Sequence, residues 1–256
     1  MRIVVILGRV LDPDGFTVNR RSGRIFVNRE EYGVQPADRC ALEVALRLKE
    51  ASGGEIIALP RSPLPEDDVL RQAMASGSDR AIYLSGAALE DADDAVMSQV
   101  LAAAVDRLGD IHMVLLGAET LDTGHSQLGA RLAGALRWPQ ILNAWHVELI
   151  HGKIRAAQQV GTEYMYVEGG MPVVVTIAPG ARRLRYPDGA QLINAYRHAD
   201  AVEAWDVYNL ADGIALQPLV VHSGQEFPPA RERGTRLKGT AEQMAQALTE
   251  ALSQRL

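Results

Sequence analysis

The sequence predicts an α/β fold: a doubly wound, mainly parallel sheet carrying a β-hairpin insertion and followed by an irregular C-terminal arm. Three observations predict it. From Met1 to Leu136, short apolar runs alternate with amphipathic helical patterns. Those runs lack strict polar–apolar alternation, as expected of strands covered on both faces. Beyond Ala178 the periodic patterns give way to scattered arginines, glycines, prolines and aromatic residues.

The elements follow in order. "IVVIL" in the first ten residues is the first strand, "EIIAL" from Glu55 the second, "RAIYL" from Arg80 the third and "HMVLLG" from His112 the fourth. Between the first two strands, "ADRCALEVALRLKEASGG" places Ala41, Leu42, Ala45, Leu46 and Leu48 largely on one side and stops at a glycine pair. "EDDVLRQAMASG" and "DADDAVMSQVLAAAVDRLG" each open with acids, which suit the positive end of a helix dipole, and close at glycine. Strands alternating with helices imply right-handed crossovers in a parallel sheet. The insertion is "DPDGFTVNRRSGRIFVN", where Phe16 and Val18, then Ile25 and Val27, alternate around "RRSG" as a hairpin. After Pro139, "WHVELIHGKIRAAQQV" reads as two strands around "HGK", and "MPVVVTI" as another buried strand. "AEQMAQALTEALSQRL" is an amphipathic helix with Thr240 as its cap. These patterns divide the chain into an α/β domain over residues 1–178, an arm over 179–232 that finds its core on another chain, and a C-terminal helix region over 233–256.

Composition narrows the function classes. The 256 residues are 47% apolar, enough for one sizeable core. A net charge of -6 without a long basic run argues against a nucleic-acid partner. The opening apolar run is five residues long between arginines, too short for a signal peptide or membrane span. A single cysteine, Cys40, suits a reducing compartment and reads as a buried small side chain on a helix. The expectation is a soluble cytoplasmic protein.

Conventional catalytic sets are weak. His112, His125, His146, His151, His198 and His222 show no metal-ligand spacing. Asp67–Asp68 and Asp93–Asp94 stand at helix starts, where dipole compensation accounts for them. No Walker motif and no GxGxxG after a strand occurs. The loop "GAETLDTGHSQLG" after the fourth strand remains. Open parallel sheets bind ligands at the carboxyl ends of their strands, and a helix N-terminus suits a phosphate. The residues alone leave two readings of this loop: a phosphate cradle of an adenine-nucleotide-binding sheet, or a capped connection with no ligand.

Several stretches, in order, resemble the beta subunit of the electron transfer flavoproteins. They are "RVLDPD", "VQPADRCALEVALRLKEASGGEIIAL", "RQAMASGSDRAIYL", "LLGAETLDTGHSQLGARLAGALRWPQ", and "PVVVTI" followed by "RYP". The resemblance covers nearly the whole chain. It implies a subunit that pairs with an alpha subunit holding most of an FAD, exchanges electrons with acyl-CoA dehydrogenase-like or other flavin dehydrogenases, and has no acid–base catalytic residues of its own. It also implies a second nucleotide in this chain, AMP in ordinary members or a second FAD in electron-bifurcating ones. Carried over by position, the nucleotide residues are Ile6, Gln35, Pro36, Ala37, Asp38, Arg61, and the loop Asp122, Thr123, Gly124, His125, Ser126, Gln127, Leu128 and Gly129. The small residues Gly124, Ser126 and Gly129 are expected to let the phosphate come close, with the adenine beside strand one and Pro36.

Departures accompany the resemblance. Ala118 and Gly8 stand where the family carries basic residues, Thr123-Gly124 replaces Gly-Asp, and Gln35 replaces asparagine. Gly189 takes the place of the leucine that anchors ordinary members to a dehydrogenase, so Leu192 or Ile193 is expected to anchor a different partner. "VEAWDVYNLAD" is closer to bifurcating members. The rival readings are a stand-alone adenine-nucleotide-binding protein of the universal-stress type and a family member that has lost its nucleotide and serves as a scaffold.

Overall fold

The computed structural model describes residues 1–19, 21–22, 24–63, 67–211, 213–214, 216–220, 223, 229 and 234–253. They fall into two units, Met1–His222 and Ser223–Leu256. The first unit holds β1 (Arg2–Leu7), β2 (Arg9–Leu11), β3 (Phe16–Asn19), β4 (Arg24–Val27), β5 (Tyr32–Val34) and α1 (Pro36–Ser52). These are followed by β6 (Glu55–Pro60), α2 (Asp68–Ser76), β7 (Arg80–Ser85), α3 (Asp94–Leu108), β8 (Met113–Gly117) and α4 (Leu128–Leu136). Then come β9 (Gln140–Ile150), β10 (Lys153–Val160), β11 (Glu163–Gly169), β12 (Val173–Ile177), α5 (Gly189–Arg197), β13 (Glu203–Asp206) and α6 (Val207–Leu210).

Nine strands form the main sheet in the order β11-β10-β9-β12-β8-β1-β6-β7-β13. Every pairing from β9 to β13 is parallel, while β10 and β11 join antiparallel at one edge. The fold is therefore the doubly wound α/β sheet expected from the sequence. Strand β1 explains why its apolar run is continuous. Ile3, Val5 and Leu7 pack in a core with α1 and α2, and Val4 and Ile6 pack in a second core with α3 and α4. All five are fully buried, so neither face tolerates a polar residue. Strand order reverses between β8 and β1, and such a switch point opens a crevice at the carboxyl ends of the strands.

Two expectations meet their elements directly. Strands β3 and β4 pair antiparallel as a separate hairpin, with Phe16, Val18, Ile25 and Val27 exposed. Cys40 is buried on α1.

The expected boundary at residue 178 is corrected. The compact unit continues to His222, and much of the supposed arm packs on this chain. Strand β13 adds to β7 in parallel, helix α5 packs through the buried Ala195, and Val207 and Ala211 join the core beneath α3. The helix is opened by Asp188, whose Oδ1 accepts from the backbone N–H of Ala190 at 3.0 Å and of Gln191 at 3.1 Å. These elements are short and half-exposed, so they leave little periodicity to read. Upstream of α5, Arg185 ties the segment to α1 by donating to Glu43 at 3.0 Å and pairing with Glu50. Residues 212, 215, 221–222, 224–228 and 230–232 of the expected arm, His222 among them, lie outside the described residues. Strands β2, β5 and β11 are further elements the sequence reading passed over.

In the second unit, α7 (Ala241–Ser253) begins at a reciprocal cap. Gln243 N donates to Thr240 Oγ1 at 3.4 Å, and Thr240 N donates to Gln243 Oε1 at 3.1 Å. None of its residues is buried, and Met244, Leu248 and Leu252 stand exposed at intervals of four. No described helix is long and apolar enough to cross a membrane.

Candidate functional site

At the switch point, a cleft of about 240 Å³ opens at the carboxyl ends of β1 and β6, bordered by the loop after β8 and the first turns of α3 and α4. Beneath its floor lies Asp38, on the first turn of α1. The Asp38 carboxylate accepts from Gly8 N at 2.7 Å, from Gly117 N at 2.7 Å and from Arg61 Nη1 at 3.0 Å. One side chain thus ties together the ends of β1, β6 and β8. Arg61 Nη1 also donates to Gly117 O at 3.1 Å. Asp38 is 0% exposed and Arg61 4%. Burial pushes the Asp38 carboxyl above its usual range, opposed by the Arg61 charge and the two backbone N–H groups. Gly8 makes this floor possible: a Cβ there would meet Gln35 Cγ at 3.0 Å and Arg61 Cδ and Asp38 Oδ2 at 3.2 Å.

Gln35 links the floor to the loop. Its backbone N–H donates to Gly8 O at 2.9 Å, its Oε1 accepts from Leu121 N at 2.9 Å, and its Nε2 donates to Asp122 Oδ1 at 3.2 Å. The loop closes on itself: Thr120 N donates to His125 O at 3.0 Å, and His125 N donates to Thr120 Oγ1 at 3.0 Å. Gly124 turns the chain at φ 67°, where a side chain is strained.

The two helix ends at the cleft differ. Asp93 caps α3, with Oδ1 accepting from Ala95 N and Val96 N at 3.0 Å each, while Oδ2 accepts from Leu219 N at 2.7 Å and Val220 N at 3.0 Å. Burial acts to raise its pKa, but the four backbone N–H groups together hold it below the usual carboxylate value. Helix α4 has no side-chain cap. Gln127, at its N-terminus, instead accepts from Arg131 Nε at 3.2 Å and Nη2 at 3.1 Å through its side-chain oxygen.

Of the residues expected from the sequence, Gln35, Arg61, Asp122, Thr123, His125 and Gln127 line the cleft. Gly124 and Ser126 are exposed on the same loop, outside the lining. Pro36 is exposed at the start of α1 and also lies outside it. Ile6, Ala37, Asp38, Leu128 and Gly129 are buried behind the wall. Ile6 and Leu128 are core side chains beneath α3 and α4. For Gly129 the expected reason is corrected. A Cβ there would come within 2.3 Å of Thr176 Cγ2, so the glycine lets α4 lie against β12 and does not open the cleft to a ligand. Beside strand one, Gln35 and Arg61 line the cleft, and Asp38 is buried behind them. Gly189 opens α5, on which Leu192 and Ile193 are exposed. Sequence reasoning missed Arg9, Ser62, Thr120, Arg131, Val220 and the first turn of α3 as lining. Arg131 carried one local signal, its place four residues after Gln127, where side chains meet on a helix. Arg9 gave none, because its partners Asp68 and Tyr32 are distant in sequence.

A family model for the electron transfer flavoprotein domain matches residues 24–204, more than half of the chain. The chain belongs to the electron transfer flavoprotein family, in its beta-subunit branch. It is 26% identical over 250 residues to a probable electron transfer flavoprotein subunit beta of Saccharomyces cerevisiae, with 94% of each chain covered. It is 26% identical over 246 residues to the caffeyl-CoA reductase-Etf complex subunit CarD of Acetobacterium woodii, covering 94% of this chain and 93% of that one. The acryloyl-CoA reductase electron transfer subunit gamma of Anaerotignum propionicum is 27% identical over 273 residues, covering 100% and 99%. Membership in this family sets aside the universal-stress reading and supports an electron-transfer function involving a flavin.

Proposed function

We propose that the chain is the beta subunit of a heterodimeric electron transfer flavoprotein. In this reading it completes the FAD site of an alpha subunit and holds an adenine nucleotide in the cleft at the switch point. The bound flavin supplies the one- and two-electron chemistry, and this chain positions it and sets its surroundings. The observation that carries the nucleotide reading is the cleft itself. Its floor is a buried arginine with donors to spare, and the uncapped N-terminus of α4 lies at its wall. A volume of about 240 Å³ lies below the range of roughly 300–1,000 Å³ typical of drug-sized ligands. That favours AMP within this chain. A second FAD would extend its flavin half beyond the cleft, toward the partner.

Two apolar surfaces support an alpha partner. Along the edge strand β11, Tyr164, Met165 and Tyr166 are exposed, and α7 carries its stripe of Met244, Leu248 and Leu252. In this reading the unit Ser223–Leu256 reaches the alpha subunit. Exposed Leu192 and Ile193 on α5 then face a flavin dehydrogenase that does not need a leucine at Gly189. The names of two relatives, from caffeyl-CoA reductase and acryloyl-CoA reductase assemblies, support an acyl-CoA-type redox partner. The buried single cysteine fits a reducing cytoplasm.

The test is co-expression with the alpha subunit, followed by acid extraction and counting of flavin and AMP per heterodimer. One FAD with one AMP supports the reading, and two FAD replaces AMP by the bifurcating variant. A stable, monodisperse monomer that ignores the alpha subunit overturns it.

A further inference from the structure

We propose that Arg71, on α2, is a positioning residue for partner docking: its guanidinium closes the end of α5 and so sets where Leu192 and Ile193 stand. This rests on the reading above that α5 faces a flavin dehydrogenase.

Three observations carry it. The first is the geometry of the guanidinium. Its Nε donates to Asp67 Oδ1 at 2.9 Å and its Nη2 pairs with Asp67 Oδ2 at 2.8 Å, so one carboxylate holds the fork in place. The third nitrogen, Nη1, crosses to α5 and donates to Ala195 O at 2.5 Å and His198 O at 2.8 Å. The Arg71 side chain is only 12% exposed. A pair that served α2 alone would need no acceptor on another helix.

The second observation is how α5 ends. The last carbonyls of a helix lack partners within it, and the dipole places negative charge there. His198 leaves α5 in extended backbone, at φ -104° and ψ 119°, rather than in the left-handed turn that closes many helices. Arg71 supplies the cap from a neighbouring helix, with the charge that this end favours. The third observation is how little else holds α5. At nine residues it is too short to be stable alone. Ala195 is its buried residue, while Leu192, Ile193 and Tyr196 are 40%, 59% and 51% exposed. Its start is fixed by Asp188 and, just upstream, by Arg185 on Glu43 and Glu50. The helix is thus pinned by polar contacts at its two ends, and its apolar side chains are left uncovered. Without the downstream pin, the docking side chains lose their fixed position against α2.

The experiment uses the heterodimer in steady-state assays, with a short-chain acyl-CoA dehydrogenase reduced by butyryl-CoA as electron donor. Changing Leu192 and Ile193 together to alanine is expected to raise the dehydrogenase KM for the heterodimer about tenfold, as for a lost aliphatic anchor. Arg71→Met is expected to raise the same KM about fivefold, the scale of a helix-end charge, with kcat and flavin content unchanged. Arg71→Lys, a point charge that still reaches the carbonyls, should recover part of the loss. In the Leu192→Ala, Ile193→Ala background, Arg71→Met should add nothing, because the face it positions is gone. Amide hydrogen exchange in Arg71→Met should quicken over α5 and stay unchanged over β1. Unchanged KM or unchanged α5 exchange in folded Arg71→Met overturns the inference. A full additional rise in the alanine background also overturns it, since that marks a general structural effect. Should Arg71→Met fail to assemble, Asp67→Asn, which loosens the guanidinium without removing it, decides by the same KM comparison, and an unchanged KM overturns the inference. If the alanine pair leaves KM unaltered, or the unaltered heterodimer takes no electrons from the dehydrogenase, the docking reading falls and this inference with it.

Discussion

The two halves of the cleft are built in opposite ways. At the strand ends, Gln35, Asp38 and Arg61 are at most 4% exposed and bonded to one another's surroundings through backbone groups of Gly8, Gly117 and Leu121. Across from them, residues 121–127 are all exposed and held mostly by bonds within their own loop. Buried polar groups are stable only when their partners are in place, so the first half is a frame that exists before any ligand arrives. An exposed loop costs little to rearrange, so the second half is the part that adapts to what binds. The same chain thus puts its stability in one wall and its adjustability in the other.

The largest expected effect comes from breaking the frame. Asp38→Ala leaves Arg61 buried without its counter-charge and two strand-end amides without an acceptor. Removing one partner of a buried pair costs about 3–5 kcal/mol. Chemical denaturation should show a loss of that size. A loss under about 1 kcal/mol, within the range of an exposed pair, would erase the distinction between the halves.

Next in size is Gly129→Val, behind the loop. Its Cβ would overlap Thr176 Cγ2, and overpacking of this kind costs about 1–3 kcal/mol. The comparison predicts that this variant loses thermal stability, with ligand affinity changing only as far as folding does. Lost affinity at full stability would return Gly129 to the site.

Asp93→Asn tests the helix end that closes the opposite wall. Asparagine keeps the cap oxygen but replaces Oδ2, the acceptor for Leu219 N and Val220 N, with an amide donor. Losing bonds to a charged acceptor costs about 1–3 kcal/mol at neutral pH. The folded-state pKa of Asp93 is depressed, so its contribution is present above the ordinary value of 3.8 and fades as pH falls below that value through the lower folded pKa. The stability gap between the two proteins, followed by thermal melting, should be constant from pH 7 to 5 and shrink below 3.8. A gap that grows on acidification contradicts the assignment of Asp93 as an ionised cap.

The smallest effect on stability belongs to the loop. Thr123→Ala removes a hydroxyl that shares a hydrogen bond with Thr120 at 2.7 Å on the exposed surface. A surface change of this kind should stay within about 0.5 kcal/mol, while nucleotide affinity shifts measurably. Stability loss comparable to that of Asp38→Ala would mean the loop is as much a part of the frame as the floor.

What could be read from the sequence was whatever has a local cause. Strands buried on both faces must be apolar throughout, so β1, β6, β8 and β12 announced themselves as unbroken runs. Helices packed on one side show their period, and caps stand beside the turns they close, as Thr240 does for α7. The order of the matching stretches was enough to place the chain in its family and to point to the loop after β8. The tertiary structure decided what depends on distant residues meeting. Asp38 and Arg61 are 23 positions apart, and only the convergence of β1, β6 and β8 turns them into a buried pair. Likewise β13 is four half-exposed residues whose strand character comes from an open edge on β7 rather than from its own composition. Gly129 looked like an invitation to a ligand because small residues carry no label for their purpose. The position of Thr176, 47 residues later on a strand it faces, is what makes a side chain there impossible.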